Sequence, residues 1–396
     1  MAARARRGAG PRRALRPRHH ARRVGPDVRR RTRAAPAAGR EPAAARRRAP
    51  RRARAAAGRR RTLPGRGHVT PAERVRATLA GERPDRPAVT VWRHWPGADQ
   101  DAAAHVDAEV RHRDALDLDV LKLTPSAAYL AEGWGARTVD RGDPLGVRDY
   151  LHRPVSEPAH WHALPELVPA DVVSLAREIT TVRLARARVG PDVPVLPTVF
   201  SPLSVARYLA GEDVLLTHLR DDRAAVVAGL ATITRTLVAL VEALVDAGAD
   251  GVYLSLFPAS HRLVDAGTYR EVALDGDRQV LEAASATWLR VVHFHLPEPL
   301  LEVAPALPAE LVSWEHTGPG PALAEGMRLT GRPVLGGVDQ VSVLRDGTPA
   351  DVRAAVRAAW AATGGRLVVA PACSYPLAVP PAHLRALVEE TRALGG

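Results

Sequence analysis

Short apolar runs alternate with longer amphipathic segments over most of this chain. Eight of the runs are four to seven residues long and rich in Val, Leu and Ala, which is typical of buried parallel strands. They cover residues 88–92, 118–123, 193–199, 251–255, 289–294, 311–314, 333–336 and 366–370. Between them, apolar residues recur three and four apart, most clearly in 171–188, 221–247, 321–329, 350–362 and 380–394. This alternation predicts an α/β fold, a (β/α)₈ barrel of the TIM type.

The first 70 residues have a different composition from the rest. They contain 24 Arg against two acids, Asp27 and Glu41, and no long apolar run. Such a segment cannot bury enough apolar surface to offset its chain entropy. We therefore predict a disordered basic tail over residues 1–69 and the barrel over residues 70–396.

The tail is open to three interpretations. Arg-rich segments bind nucleic acid or direct proteins to organelles, and an Arg/Ala/Pro/Gly mixture is also what GC-rich codons give ahead of a functional protein. The remaining 326 residues carry 32 basic and 41 acidic groups, so the barrel itself is acidic. Nucleic-acid binding is therefore expected through the tail only, if at all.

Cysteine usage and hydropathy bear on location. A single cysteine permits no internal disulfide, there is no secretory signal pattern, and no run of about 18 uncharged apolar residues occurs. We expect a cytoplasmic protein without membrane association.

Three candidate metal ligands lie at the ends of two predicted strands. His293 and His295 end one run, and Cys373 follows another. Side chains two apart in a strand share a face, so both histidines can reach one ion together with the cysteine. Three protein ligands with an open fourth position is the catalytic zinc pattern. The alternative is that His293 is a hydrogen-bonded core residue and Cys373 a small buried hydrophobe.

Lys122 is the only lysine of the chain and lies near the end of the second predicted strand. In a TIM barrel, catalytic groups come from the carboxyl ends of the strands. A lone lysine there can form a Schiff base or hold a substrate carboxylate. The alternative is a salt bridge to Asp119 or Glu132.

Other strand ends also carry polar groups. Glu315 and His316 form a candidate acid and base pair, or are ordinary loop residues. Arg93 lies between Trp92 and Trp95. These neighbours favour substrate binding in a buried mouth of the barrel over a salt bridge at the rim of the barrel. Asp339 follows two glycines and would either support a metal site or cap the next helix.

An ordered series of segments resembles the uroporphyrinogen decarboxylase family. The segments are T-P-A-E-R-V at 70–75, P-L-S-V-A-R-Y-L at 202–209, A-G-A-D at 247–250, 318–325 after Trp314, T-G-R-P-V-L-G-G at 330–337 and P-P-A-H-L at 380–384. The resemblance runs from Thr70 to Leu394 and implies the barrel fold. It also implies one of two chemistries: cofactor-free decarboxylation of porphyrinogens, or zinc-dependent methyl transfer between a corrinoid and a thiol.

The decarboxylase pattern is only partly present. The resemblance implies an R-x-x-x-R pair for substrate carboxylates, of which Arg93 matches the first position and Gly97 stands at the second. The family's aspartate after the second strand has no counterpart in L-K-L-T-P at 121–125. Tyr208 matches the family's tyrosine, and Ser255 is close to its serine, so both are candidates for substrate binding, with Tyr208 also a catalytic candidate.

The methyltransferase pattern fits the metal ligands better. There the resemblance implies an H-x-C pair and a late cysteine on zinc, and this chain has His293-x-His295 and Cys373. We therefore expect a zinc-dependent, methyltransferase-like enzyme that activates a thiol or similar nucleophile, with Arg93 and Lys122 pairing with an anionic part of a small-molecule substrate. A corrinoid protein would be its partner, and the family implies a homodimer. The alternatives are a cofactor-free decarboxylase of uroporphyrinogen or a related carboxylate, and a non-catalytic binding barrel.

Overall fold

The structure is a computed structural model that describes residues 69–395. The predicted basic tail lies outside the described residues apart from Val69, so its disorder and any nucleic-acid binding stay predictions. Within residues 69–395 there are nine strands: β1 (Leu121–Leu123), β2 (Arg137–Val139), β3 (Asp149–His152), β4 (Val195–Phe200), β5 (Tyr253–Leu256), β6 (Val291–Phe294), β7 (Leu311–Trp314), β8 (Val334–Val338) and β9 (Leu367–Pro371).

Seven of these strands form one parallel sheet, in the order β1-β4-β5-β6-β7-β8-β9. All seven coincide with predicted apolar runs. The other two, β2 and β3, form a separate antiparallel hairpin. This hairpin was not predicted.

The sheet curls into a barrel because residues 88–91 join its two edges. Val89 forms a parallel bridge with Val369 of β9, and Thr90 N–H donates to the Val369 carbonyl (3.0 Å). On the other side, Asp119 N–H donates to the Val89 carbonyl (2.8 Å). The prediction of a regular strand over 88–92 was wrong, because the Asp119 carboxylate takes the Val89 N–H (2.9 Å). The predicted eight-part α/β barrel is nevertheless confirmed.

Helices pack around the outside of this sheet. Those in the described residues are α1 (Pro71–Ala80), α2 (Ala102–Leu116), α3 (Tyr129–Gly133), α4 (Pro158–His162), α5 (Val173–Val189), α6 (Pro202–Ala210), α7 (Glu212–Asp221), α8 (Arg223–Asp246), α9 (Ala266–Val272), α10 (Leu274–Glu282), α11 (Leu323–Thr330), α12 (Pro349–Ala362) and α13 (Pro381–Ala393). The five predicted helices correspond to α5, α8, α11, α12 and α13. Helix α1 begins with a capping box in which the Thr70 and Glu73 side chains each accept a hydrogen bond from the other residue's backbone N–H.

The inward-facing side chains change from apolar to polar along the strands. Three of them are in register across β5, β6 and β7 and belong to the apolar interior: Tyr253, Val291 and Leu311. Two residues further on, the side chains in register are polar: Ser255, His293 and Ser313. Side chains two apart in a strand share a face, so both sets point into the barrel. The fold therefore places polar groups at the carboxyl end of a mainly apolar interior.

Helix α8 has the length and hydropathy of a membrane-spanning helix, judged by these two properties alone. More than half of its apolar window is buried, and it packs against α4, α6 and α10.

Candidate functional site

A cavity of about 680 Å³ opens at the carboxyl ends of the barrel strands. This is the end at which the sequence placed the candidate site. Seven of the predicted site residues line it: Lys122, Tyr208, Ser255, His293, His295, Glu315 and Cys373. Arg93 and His316 are not among its lining residues. A cavity of this size accommodates a small-molecule substrate.

The three predicted metal ligands converge on one side of this cavity. His293 lies in β6, His295 directly follows that strand, and Cys373 follows β9 by two residues. One ligand atom from each lies within 4.8 Å of the other two. His295 Nδ1 and Cys373 Sγ are 3.4 Å apart, which is the ligand separation that a tetrahedral zinc ion with bonds of about 2.0–2.3 Å requires. The two histidine side chains and Cys373 thus reach the same side of the cavity.

His293 is held so that one ring nitrogen remains free. Its Nδ1 lies 3.1 Å from the hydroxyl of Ser313 on the adjacent strand. Its Nε2 is buried and has no hydrogen-bond partner among the described residues. A core histidine satisfied on both sides would leave no such atom, because buried polar groups are normally paired. The free Nε2 and the fixed ring fit a metal ligand oriented by its second nitrogen.

The protonation states of these side chains follow from burial. Burial lowers the pKa of His295 to about 4, with Arg207 adding to the effect, and lowers the pKa of His293 well below its usual value. Both imidazoles are therefore neutral near pH 7, as metal ligands must be. Burial, reinforced by Glu315, raises the pKa of the Cys373 thiol to about 12. Metal binding at this site must therefore release a proton from the thiol.

Lys122 lies on the floor of the cavity without a carboxylate partner. Its Nζ donates to the hydroxyl of Thr198 (2.8 Å) and lies 4.1 Å from the ring centre of Tyr253 and 4.9 Å from that of Trp92. No salt bridge to Lys122 occurs among residues 69–395. Two aromatic faces and one hydroxyl thus compensate a buried ammonium group only weakly.

The predicted alternative of a salt bridge from Lys122 to Asp119 or Glu132 was wrong. The Asp119 carboxylate is bound by Arg74 and Arg86 (3.1 and 2.6 Å). Glu132 accepts a hydrogen bond from the Thr138 hydroxyl (2.8 Å). Both acids are therefore engaged elsewhere, and Lys122 has no carboxylate partner among the described residues.

We expect Lys122 to titrate near neutral pH. Burial lowers its pKa to about 7, and Glu109 and Cys373 offset this only in part. An unfolded chain would hold this proton up to a pKa of about 10.4. Between pH 7 and 10 the unfolded state binds more protons, so this residue's contribution to stability rises with pH across that window. Because Lys122 is the only lysine, labelling with ¹³C-lysine gives a single side-chain NMR signal, whose midpoint should lie near pH 7.

The variant Lys122→Met provides the control for this titration. It should raise the free energy of unfolding by about 2–4 kcal/mol at pH 7, and the gain should shrink as the pH approaches 10. A lysine midpoint above pH 9, or a gain independent of pH, would show that the ammonium is well compensated in the folded protein.

Glu315 and His316 are not a pair in the cavity. Glu315 lines it, and its Oε1 is 3.5 Å from Gln340 Nε2. Burial raises the pKa of Glu315, and the negative charge of Asp339 raises it further. His316 lies outside the lining, and its Nδ1 is buried without a partner among the described residues. Of these two residues, only Glu315 is placed to exchange a proton with a ligand in the cavity. Asp339 accepts hydrogen bonds from the Thr317 hydroxyl and from the Val341 N–H (2.9 Å), so it holds the loop after β8.

The remaining predicted residues separate into two groups. Tyr208 and Ser255 line the cavity, and burial raises the pKa of the Tyr208 phenol above its usual range. Arg93 instead stacks on Trp95, with its Cζ 4.3 Å from the ring centre. The substrate-binding role predicted for Arg93 has no support from this placement, although Trp92 beside it does reach the cavity.

His94, at the end of the first predicted strand, lines the cavity with its Nδ1 3.1 Å from the Pro125 carbonyl. Some cavity residues were not predicted from the sequence. Three arginines also line it: Arg148, Arg153 and Arg207. Arg207 directly precedes Tyr208 in a segment already singled out, which was the available signal. Arg148 and Arg153 flank β3, whose sequence has no apolar alternation.

Comparisons with known proteins agree with this geometry. A family model described as "Uroporphyrinogen decarboxylase (URO-D)" matches residues 70–394. The methylcobamide:CoM methyltransferase MtbA of Methanosarcina mazei is 26% identical over 228 residues. The match covers 55% of this chain and 64% of that protein, slightly less than two thirds of its length. The methylcobamide:CoM methyltransferase MtaA of Methanosarcina barkeri is 23% identical over 301 residues, covering 74% of this chain and 85% of that protein.

A solved structure shows the same fold. It is a methyltransferase from Methanosarcina mazei, 20% identical in sequence, with a TM-score of 0.74 over 83% of this chain and 100% of that chain.

Proposed function

The chain belongs to the uroporphyrinogen decarboxylase (URO-D) family, and from this premise we propose that it is a zinc-dependent, methyltransferase-like enzyme that transfers a methyl group to a thiol or similar nucleophile. The observation that carries the proposal is the convergence of His293, His295 and Cys373 within 4.8 Å at the wall of a 680 Å³ cavity. Its relatives MtbA and MtaA are methyltransferases, which supports this branch of the family over the decarboxylases.

The alternative, a cofactor-free decarboxylase, is less well supported by the cavity. Such an enzyme would need an anionic acceptor for the pyrrole N–H groups of a porphyrinogen. The position after β1 is occupied by Thr124, whose N–H is taken by the carboxylate of Glu109 (2.8 Å), and Glu109 does not line the cavity. The charged group in the floor at this point is the cation Lys122.

The donor set of two imidazoles and one thiolate fits zinc. Bound there, zinc would act as a Lewis acid that lowers the pKa of a substrate thiol. The chain would hold the ion through His293, His295 and Cys373, and Ser313 would keep the His293 ring in place. Glu315 is placed to accept the thiol proton at its carboxylate. The sulfur would then attack the methyl carbon of the donor, and the leaving group would depart with the electrons of the broken bond.

Donor, partner and location belong to the proposal. We infer a methylcorrinoid as the methyl donor, carried by a corrinoid protein, because the relatives named above are methylcobamide-dependent. A cytoplasmic location and a homodimer remain predictions from the sequence.

The test is a methyl-transfer assay on zinc-loaded protein. Methylcob(III)alamin and a small thiol such as 3-mercaptopropionate should react in the presence of the protein, and the loss of the methylcobalamin absorption spectrum gives the rate. Zinc content should be about one ion per chain. Absence of zinc even after reconstitution, together with release of CO₂ from a porphyrinogen, would restore the decarboxylase alternative. Stoichiometric binding of ligand without turnover would instead favour the non-catalytic barrel.

A further inference from the structure

We propose that Lys122, His94 and Thr124 form a carbonyl-binding site in the floor of the cavity, at which the lysine amine condenses with a small aldehyde or unhindered ketone to give an imine. This activity is separate from the proposed methyl transfer, because it uses neither a metal nor a thiol. It can therefore be measured without a methyl donor or a methyl acceptor.

The amine of Lys122 is held at the cavity by a hydroxyl that only accepts. The side chain is 3% exposed and lines the cavity. Its Nζ donates to the Thr198 hydroxyl (2.8 Å), and that hydroxyl donates in turn to the Leu123 carbonyl (2.8 Å). Because a hydroxyl has one proton, Thr198 can offer Nζ only a lone pair. Once deprotonated, the amine therefore keeps its own lone pair free for a ligand.

The surroundings of Lys122 favour the neutral amine, which is the nucleophilic form. Its Nζ lies beside the rings of Tyr253 and Trp92, and no carboxylate pairs with it among residues 69–395. Burial lowers the pKa of Lys122 to about 7, and Glu109 and Cys373 offset this only in part. About half of the amine is therefore neutral at pH 7, against roughly 1 in 2500 for an exposed lysine with a pKa of about 10.4.

A hydroxyl that can bind the carbonyl oxygen lies next to this amine. Thr124 directly follows β1, two residues after Lys122, and both side chains line the cavity. The Oγ1 of Thr124 is buried and has no hydrogen-bond partner among the described residues. The Thr124 N–H donates to the carboxylate of Glu109 (2.8 Å), which fixes the backbone at this position. Because buried polar groups are normally paired, this free hydroxyl indicates a ligand that accepts a hydrogen bond from it.

His94 presents a proton acceptor to the same space. Its Nδ1 lies 3.1 Å from the Pro125 carbonyl, which can only accept, so Nδ1 carries the proton of the neutral ring and Nε2 carries the lone pair. The side chain is 8% exposed, lines the cavity and makes no other hydrogen bond within the described part of the chain. Burial, with a contribution from the charge of Lys122, lowers the pKa of His94 to about 4. The ring is therefore neutral near pH 7, and its Nε2 is free to take up a proton.

The condensation balances with these three groups. The Nζ lone pair of neutral Lys122 forms a bond to the carbonyl carbon, and the π electrons of the C=O bond move to the oxygen, to which the Thr124 hydroxyl donates a hydrogen bond. A proton passes from the nitrogen to His94 Nε2 and on to the oxygen, which gives a carbinolamine. The oxygen then takes a proton from solvent and leaves as water while the nitrogen lone pair forms the C=N bond. One carbonyl, one neutral amine and one proton thus give one iminium ion and one water.

The lining beside the amine sets the substrate class. The rings of Trp92 and Tyr253 lie 4.9 and 4.1 Å from Nζ, measured to their centres, and both residues belong to the apolar interior of the barrel. A small aldehyde or ketone can bury an apolar chain against these rings. A charged group in the same place would have to be desolvated.

The experiment traps the imine by reduction. The full-length protein is incubated at pH 7 with propanal and sodium cyanoborohydride, which reduces the iminium ion to a stable propylamine. Peptide mapping by mass spectrometry then follows the peptide that contains Lys122. This peptide should be propylated at least about 100-fold faster than an exposed lysine, because its neutral fraction is larger. Absence of propylation at Lys122, or a rate no greater than that of an exposed lysine, would overturn the proposal.

Two variants supply the reference rates. Lys122 is the only lysine of the chain, so Lys122→Met has none. Combining it with Arg220→Lys places a single lysine at a position whose side chain is 71% exposed. The α-amino group of the chain should react equally in every variant, and peptide mapping separates it from the lysine.

Thr124→Val and His94→Asn test the other two groups. Valine keeps the shape of Thr124 and its N–H bond to Glu109, and asparagine keeps an N–H donor for the Pro125 carbonyl. Each variant should slow propylation of Lys122 about 10-fold or more, while the NMR titration midpoint of Lys122 stays unchanged. Circular dichroism identifies any loss of fold. Unchanged propylation in both variants would overturn the three-residue site, whereas propylation of Lys122 in protein that transfers no methyl group would leave this site standing and contradict the proposed function alone.

Discussion

Replacing Cys373 with alanine is expected to reduce bound zinc from about one ion per chain to below about a tenth, and to slow methyl transfer at least about 1000-fold. The Cys373 thiolate would be the only anionic ligand of the proposed zinc site, and its Sγ is 3.4 Å from His295 Nδ1. Loss of a hydrogen-bond partner of a ligand typically costs 10- to 100-fold in metal affinity or activity, so loss of a ligand should cost more.

The measurement combines metal analysis by mass spectrometry with the methylcobalamin assay. The protein should be purified without a metal-affinity tag. Ser285→Ala is a matched control, since it removes a similarly small polar group from an exposed position before β6. His293→Ala should reproduce the loss, because its free Nε2 is the ligand atom assigned to this residue.

Two outcomes would contradict the assignment. Full zinc content in both ligand variants would place the metal elsewhere. Full methyl transfer in metal-free protein would show that the chemistry does not depend on the cluster, and the histidine and cysteine would then be ordinary lining residues of the cavity.

The sequence predicted the barrel because parallel strands buried on both faces give continuous apolar runs. The same rule located the candidate metal ligands, since the carboxyl ends of parallel strands meet at one end of a barrel. His293 and Cys373 are 80 positions apart, and two strands separate β6 from β9 in the sheet. Their meeting follows from topology, which could be inferred before any distance was known.

Residues 88–91, which join the two edges of the sheet, show where the apolar pattern alone is insufficient. Residues 88–91 are buried and apolar except for Thr90, as in a strand, yet the side-chain carboxylate of Asp119 replaces a backbone carbonyl as the acceptor of the Val89 N–H. Apolar periodicity indicates burial. It does not indicate that a side chain distant in sequence accepts a backbone hydrogen bond.

The charge partners were the least predictable part of the site. Asp119 was considered for Lys122 because it is near in sequence, but an odd separation of three along an extended segment directs the two side chains to opposite faces. Arg153 was missed because the hairpin that precedes it is short and mostly exposed, so neither apolar alternation nor length distinguished it from a loop.

Replacing Gly251 with alanine is expected to destabilise the barrel by more than about 4 kcal/mol, or to leave it insoluble. A Cβ at this position would lie 1.7 Å from the carbonyl oxygen of Leu289 and 2.4 Å from its carbonyl carbon. Both are backbone atoms, and the N–H groups of Trp288 and Leu289 are held by the Asp250 carbonyl (3.2 and 3.1 Å). No rotamer change can relieve such a contact, so the start of β6 must move away from β5.

That movement would also disturb the site, because Ser255 on β5 and His293 on β6 are in register two layers above the contact. Urea unfolding of Gly251→Ala should be compared with Gly318→Ala, an exposed glycine whose added Cβ would meet nothing within 4 Å. The control should change the free energy of unfolding by no more than about 0.5 kcal/mol. Loss of less than about 1 kcal/mol in Gly251→Ala would mean that the two strands can separate without cost, and the close approach of β5 and β6 would then not be what fixes His293 in the wall of the cavity.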